Sequence, residues 1–136
     1  MQFAALSSIL MVMTAPLALV YYEKLLPGQQ LVNRLQDLGY RTGVVTDSGQ
    51  LLKQILQQKP MLLVTEFPAR NSAVCDAIAL IKANPELAHI PVLAYAAVSN
   101  EVVQEMARSA GATLLASEAG LLDQLPQLLN QILLVE

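Results

Sequence analysis

The feature that most constrains the fold of this chain is an uninterrupted apolar run that ends in a single carboxylate. The run extends from Met61 to Thr65 and stops at Glu66, after which Phe67 and Pro68 break the pattern. A strand without polar alternation is typical of a parallel sheet that is covered by helices on both faces. Sites in open α/β sheets form outside the carboxyl ends of the strands. Glu66 therefore stands where this chain would carry a functional site.

The rest of the chain alternates between short apolar runs and segments with helical periodicity. Strands are predicted at 17–22, 41–45, 90–94 and 113–116, in addition to the run that ends at Glu66. Helices are predicted at 28–38, after Asp47 or Ser48, at 73–83, at 100–110, and from Asp123 onward. Strands that alternate with helices of about 10–15 residues predict a parallel sheet with right-handed crossovers.

Composition narrows the classes of protein that this chain can belong to. Its 136 residues are enough for one domain with a proper core, and the 54% hydrophobic and 14% charged content predicts an apolar or partner-covered surface. A net charge of −3 and scattered basic residues argue against direct binding of nucleic acid. One cysteine, Cys75, excludes an internal disulfide and a multi-cysteine metal site. We therefore expect a cytoplasmic protein.

The first fifteen residues form an apolar extension that precedes a domain at 16–136. The extension lacks the basic start of a secretory signal, and no charged residue occurs before Glu23. We interpret it as an amphipathic helix that covers an apolar surface, and we expect it to mediate a homodimer. The alternatives are membrane association, which we do not expect, and a misassigned start. Its apolar residues at helical spacing are Phe3, Leu6, Ile9, Leu10 and Met13.

Three passages resemble response-regulator receiver domains. Residues 78–82 (Ile-Ala-Leu-Ile-Lys) and 84–93 (Asn-Pro-Glu-Leu-Ala-His-Ile-Pro-Val-Leu) resemble that family's passage from the third helix to the fourth strand. Residues 110–115 (Ala-Gly-Ala-Thr-Leu-Leu) resemble its approach to the fifth strand. The resemblance covers 17–134. It implies a three-layer α/β/α domain, the flavodoxin-like receiver fold, with a five-stranded parallel sheet of order 2-1-3-4-5.

The resemblance also shows where this chain departs from the family's chemistry. The family accepts a phosphoryl group on an aspartate that ends the third strand, and here that position is Glu66. The two acids that help to hold Mg²⁺ are replaced by Tyr21 and Tyr22. The hydroxyl position that ends the fourth strand is Ala96, and the lysine position is Glu118, or Ser117 if the loop is one residue shorter.

Together these departures predict a pseudo-receiver that does not accept phosphate. Such a chain would be no enzyme, would use no metal or cofactor, and would act as a protein–protein interaction module in signal transduction. One alternative is a switch that still accepts a phosphoryl group on Glu66, and another is a small-ligand binder beside Tyr21 and Tyr22. Glu66 itself could imitate the phosphorylated state, or it could simply bond loop amides or the Tyr21 hydroxyl.

The partner in this prediction is another signalling protein. In the family, the usual interaction surface is made by the fourth helix, the fifth strand and the fifth helix. The resemblance therefore predicts the same face in this chain, although some residues of the fourth helix must point to the core. The residues of that predicted face are Val102, Val103, Glu105, Met106 and Arg108.

Overall fold

Five parallel strands form one sheet in the order β2-β1-β3-β4-β5, as predicted. The structure is a computed structural model, and it describes residues 16–23, 25–67, 72–97 and 101–134. The central strand, β3, is buried along its whole length, as its apolar run predicts. The strands are β1 (Leu17–Tyr21), β2 (Arg41–Val45), β3 (Leu62–Glu66), β4 (Val92–Ala96) and β5 (Leu114–Ser117).

Helices follow the strands in the expected alternation. Asp47 caps α2 by accepting a hydrogen bond from the Gly49 N–H, at 3.0 Å. Gly39 and Gly111, with φ of +96° and +111°, follow the ends of α1 and α4 in a backbone conformation that favours glycine. The helices are α1 (Leu25–Asp37), α2 (Ser48–Gln58), α3 (Ser72–Ala83), α4 (Glu101–Ala110), α5 (Glu118–Leu121) and α6 (Leu125–Leu134).

Several boundaries differ from the sequence prediction by one to three residues; the first helix, for example, begins at Leu25 rather than Gly28. The fourth strand begins at Val92 rather than Ile90, because the Ile90 N–H closes a turn on the Leu87 carbonyl at 3.0 Å. The four-residue helix α5 was not predicted, since one turn is too short to show a hydrophobic period. Ser117 caps it by accepting the Gly120 N–H at 3.1 Å.

The sheet separates two apolar clusters, one on each face. Leu19, Leu63 and Val92 point to the face covered by α2, α3 and α4, whereas Val20 and Val64 point to the face covered by α1, α5 and α6. Alternate residues of each strand therefore pack against opposite helical layers. This arrangement is the three-layer α/β/α architecture that the sequence predicted.

The predicted extension at residues 1–15 lies outside the described residues, and so does Pro68. Within the part of the chain that the structure covers, no helix combines the length and apolar character needed to cross a membrane.

Candidate functional site at the carboxyl edge of the sheet

The carboxyl edge of the sheet brings together the residues that the sequence singled out. Tyr21 ends β1, Glu66 ends β3, Ala96 ends β4, and Glu118 directly follows β5. Strand register makes these positions neighbours, because Tyr21 lies opposite Thr65 and Ala96 lies opposite Ser117. Ser117 is the last residue of β5 and caps the following helix, so Glu118 is the first residue beyond the strand. The predicted pocket residues thus share one edge of the fold.

Glu66 is buried at this edge and engaged with the backbone. It is only 8% exposed, and its Oε2 accepts a hydrogen bond from the Glu23 N–H at 3.0 Å. The bond joins the end of β3 to the loop after β1. The sequence suggested a loop amide or the Tyr21 hydroxyl as the partner of Glu66, and the Glu23 N–H is such a loop amide. A carboxylate that accepts a backbone N–H makes a charge-assisted hydrogen bond, which is stronger than a neutral one.

The two tyrosines that replace the expected acids fill opposite faces of the sheet. Tyr21 is buried on the face of α2, α3 and α4, and its hydroxyl donates to the Glu23 carboxylate. Tyr22 is buried on the other face, against Gly28 of α1. A Cβ added to Gly28 would lie 2.3 Å from Tyr22 Cγ, so the ring occupies the space that a side chain at position 28 would need.

Tyr95 is a site residue that the sequence analysis missed. It lies opposite Glu66 in the β3–β4 register, is 1% exposed, and belongs to the cluster on the α1 face. No residue in the described ranges hydrogen-bonds its hydroxyl. Burial raises the pKa of Tyr95 above its usual value, and the charges of Glu66 and Glu118 raise it further. The sequence signal for Tyr95 is the alternation of β4, which sends Tyr95 and Ala96 to opposite faces, whereas the family resemblance points only to Ala96.

The causes of the raised Tyr95 pKa also indicate the electrostatic potential at this position. Glu66 and Glu118 both favour the neutral phenol, so both place negative potential at the Tyr95 hydroxyl. Any anion that approached this position would meet the same two carboxylates. These two carboxylates disfavour an anion beside the Tyr95 hydroxyl.

The oxygen donors described at this edge do not fit Mg²⁺, the ion that the family resemblance implies. Mg²⁺ requires near-octahedral oxygen coordination and is usually bound by one or two carboxylates together with water and phosphate. Here Tyr21 and Tyr22 present phenols, the Tyr21 hydroxyl is donated to Glu23, and Glu66 already accepts an N–H. Among the described residues, no group of three or more His, Cys, Asp or Glu side chains could hold a metal ion.

The predicted interaction face divides into three parts. Val103 is only 7% exposed and packs in the core, so it cannot belong to a surface. Val102 and Met106 are exposed and face α3, whereas Arg108 lies on the side of α4 that faces β5. Glu105 joins the two sides through an ion pair with Arg108, at 2.7 Å. The exposed apolar side chains of α4 therefore lie beside α3, away from the fifth strand.

The sheet order and the two helical layers define a doubly wound, flavodoxin-like α/β domain. Within that class, the chain has the receiver-domain fold of response regulators. A putative response regulator from Chloroflexus aurantiacus matches with a TM-score of 0.80 and 17% identity, covering 88% of this chain and 98% of that chain. The chemotaxis protein CheY4 from Vibrio cholerae matches with a TM-score of 0.78 and 13% identity, covering 88% of this chain and 99% of that chain.

A response regulator from Thermotoga maritima is also similar, with a TM-score of 0.75, 17% identity, and coverage of 87% of this chain and 97% of that chain. No protein-family model matches the chain, and no curated protein matches it. The similarity therefore rests on the fold.

Proposed function

We propose that this chain is a pseudo-receiver, a signalling module that binds another protein and does not accept a phosphoryl group. The fold supports the signalling context, because the similar solved structures are response regulators. The proposal concerns an interaction module and not an enzyme, because the groups that would perform phosphoryl transfer are replaced at five positions of the carboxyl edge.

The single observation that carries the proposal is the environment of Glu66. A phosphoryl acceptor needs an accessible carboxylate oxygen, a nearby cation and donors for the phosphoryl oxygens. Glu66 is buried, bonds the Glu23 N–H, and shares its edge with Glu118 and the phenol of Tyr95. The negative charges of Glu66 and Glu118 at this edge disfavour both the entry of phosphate and the development of negative charge in its transfer.

Magnesium binding tests this proposal at its first chemical requirement. Backbone amide shifts at residues 21–23, 66 and 95–97 would be followed by NMR during a Mg²⁺ titration, with NaCl at matched ionic strength as the control. We expect no saturable shift beyond the NaCl effect. A saturable change confined to these amides would contradict the proposal and favour the alternative of a phosphoryl-accepting switch.

A second candidate is the binding of a small ligand at the same edge, and it is favoured by the Tyr95 hydroxyl. This buried group lacks a hydrogen-bond partner in the described ranges, so a ligand with a polar atom there would satisfy it. Native mass spectrometry of the purified chain tests the idea. An additional mass that disappears on denaturation, and that is absent from a Tyr95→Phe variant, would support the small-ligand function. An unliganded mass for both proteins would contradict it.

A further inference from the structure

An open groove lies between α3 and α4, on the face of the sheet opposite the cluster that contains Tyr22 and Tyr95. It has a volume of about 690 Å³, and its sides are two rows of side chains at helical i, i+4 spacing. Cys75 and Ala79 form the row on α3, and Val102, Met106 and Ala110 form the row on α4. Residues four apart stack along one side of a helix, so each row is parallel to its helix axis.

Small side chains keep this groove open. Ala79 and Ala110 are too short to fill the space between the two helices, and Val102 remains 68% exposed beside them. Val102 is therefore an exposed β-branched side chain beside other apolar groups, and a partner that covered it would remove apolar surface from water. The ten residues of α4 span about 15 Å at 1.5 Å per residue, which matches three turns of a helix.

Charge restricts what can occupy the groove. Three carboxylates line it, Asp76 on α3 and Glu101 and Glu105 on α4, and none of the lining residues within the described ranges is basic. Arg108 neutralises only Glu105, through an exposed ion pair. The carboxylates therefore give the groove a net negative charge beside its two apolar rows. This combination complements a partner whose apolar residues are flanked by Lys or Arg.

We propose that the groove between α3 and α4 binds a basic amphipathic helix of about three turns from another protein. The shape selects an elongated partner, the apolar rows fit the i, i+4 side chains of a helix, and the acidic rim selects positive charge. This inference rests on the proposed function of the chain as an interaction module, and it places the contact beside α3 rather than on the α4–β5 side.

Cys75 supplies a direct reporter, because it lines the groove and is the single cysteine of the chain. Its thiol is partly exposed, so a small alkylating reagent can reach it. Burial and the neighbouring Asp76 raise the pKa of Cys75, so all alkylation rates must be compared at one fixed pH. A helix seated in the groove would cover this thiol.

The probe is a phage-displayed library of helical peptides, selected on the full chain without bias in charge. We expect enriched peptides to carry net positive charge, to bind more weakly as salt is raised, and to slow the alkylation of Cys75 when added as synthetic peptides. Met106→Glu should weaken their binding by at least about tenfold, because the bound peptide would bury an unpaired carboxylate within the apolar row of α4.

Gln104→Glu is the matched control, because it adds the same charge to the same helix on the side that faces β5. We expect its peptide affinity to be within about threefold of the wild type, since its carboxylate stays in solvent. Circular dichroism and thermal unfolding establish that both variants are folded before binding is compared.

Several outcomes would overturn the inference. Selection of no peptide, of acidic peptides, or of peptides that leave the Cys75 rate unchanged would each do so. A Cys75 rate that falls as the concentration of the protein alone is raised would assign the groove to a second copy instead. Acetyl phosphate and Mg²⁺ added to the same sample test the proposed function separately, because that result is read from the mass of the chain and not from the alkylation rate.

Discussion

Glu66 and Tyr95 lie opposite each other on β3 and β4, and their side chains share the face of the sheet that α1 covers. The carboxylate is satisfied by the Glu23 N–H, whereas the phenol has no hydrogen-bond partner in the described part of the chain. Glu118 adds a second negative charge beside the phenol. The carboxyl edge of the sheet therefore carries buried aromatic rings beside two carboxylates.

The first prediction concerns the stability of two tyrosine-to-phenylalanine variants. Tyr95→Phe should leave the free energy of unfolding unchanged or raise it by about 1 kcal/mol, because it removes a buried hydroxyl that lacks a partner. Tyr21→Phe should lower it by about 0.5–1.5 kcal/mol, because it removes the bond to Glu23. Urea denaturation at neutral pH measures both, and a larger loss for Tyr95→Phe would contradict the assignment.

The second prediction follows from the raised pKa of Tyr95. Below the ordinary phenol pKa of about 10, Tyr95 is protonated in both folded and unfolded chains and stability is unaffected. Above that pH the unfolded chain loses the proton while the folded chain keeps it, so stability falls by up to about 1.36 kcal/mol per pH unit. Tyr95→Phe should reduce this alkaline slope, and an unchanged slope would show that Tyr95 does not cause it.

The third prediction tests the contact between Tyr22 and Gly28. Gly28→Ala would normally stabilise a helix by up to about 1 kcal/mol, but here the new Cβ meets the Tyr22 ring at 2.3 Å. We expect a loss of about 1–3 kcal/mol instead.

Two further variants decide whether that loss arises from the ring. Gly49→Ala in α2 is the control, because the nearest atom to its Cβ belongs to the Asp47 side chain, at 3.3 Å. The loss at Gly28 should shrink when Tyr22 is changed to alanine in the same chain. A double-mutant cycle with no coupling between the two positions would contradict the contact.

The fourth prediction contrasts the middle and the end of β3. Leu63 is fully buried between the helical layers, so Leu63→Ala should cost about 2–5 kcal/mol. Glu66→Gln keeps an oxygen for the Glu23 N–H and should cost less than about 1 kcal/mol. Chemical denaturation of both variants decides the contrast, and comparable losses would mean that the charge of Glu66 is structurally required.

The order of the elements could be predicted because every strand except β2 is a short, mostly apolar run, and segments with a helical period separate the strands. The run before Glu66 predicted a buried central strand, and β3 is buried throughout. Sequence could not show that Glu66 would itself be buried, because burial of a strand-end carboxylate depends on a partner from another loop, here the Glu23 N–H.

The side of α4 on which its exposed apolar residues lie could not be predicted from the sequence either. Helical spacing groups Val102 with Met106, but it does not tell which neighbouring helix leaves a gap beside them. That gap depends on the short side chains of Ala79 and Ala110, on two different helices. The same spacing does explain why Val103, one position away, turns into the core.

The fifth prediction concerns residues 1–15, which we expect to mediate a homodimer. The segment contains no charged residue and precedes a domain that is complete from β1 onward. An apolar stripe of this kind is usually covered in a soluble protein, and a two-fold dimer would bury it twice. Sedimentation of the full chain and of a chain that starts at Ala15 tests this. Two monomers of unequal stability would contradict the dimer.

The measurement that tests the central claim most directly is intact-mass analysis after incubation with acetyl phosphate and Mg²⁺. The burial of Glu66, its bond to the Glu23 N–H and the adjacent charge of Glu118 lead us to expect no added phosphoryl group. A Glu66→Gln variant treated in parallel controls for modification elsewhere. A stoichiometric phosphoryl adduct on the wild-type chain that is absent from Glu66→Gln would contradict the account.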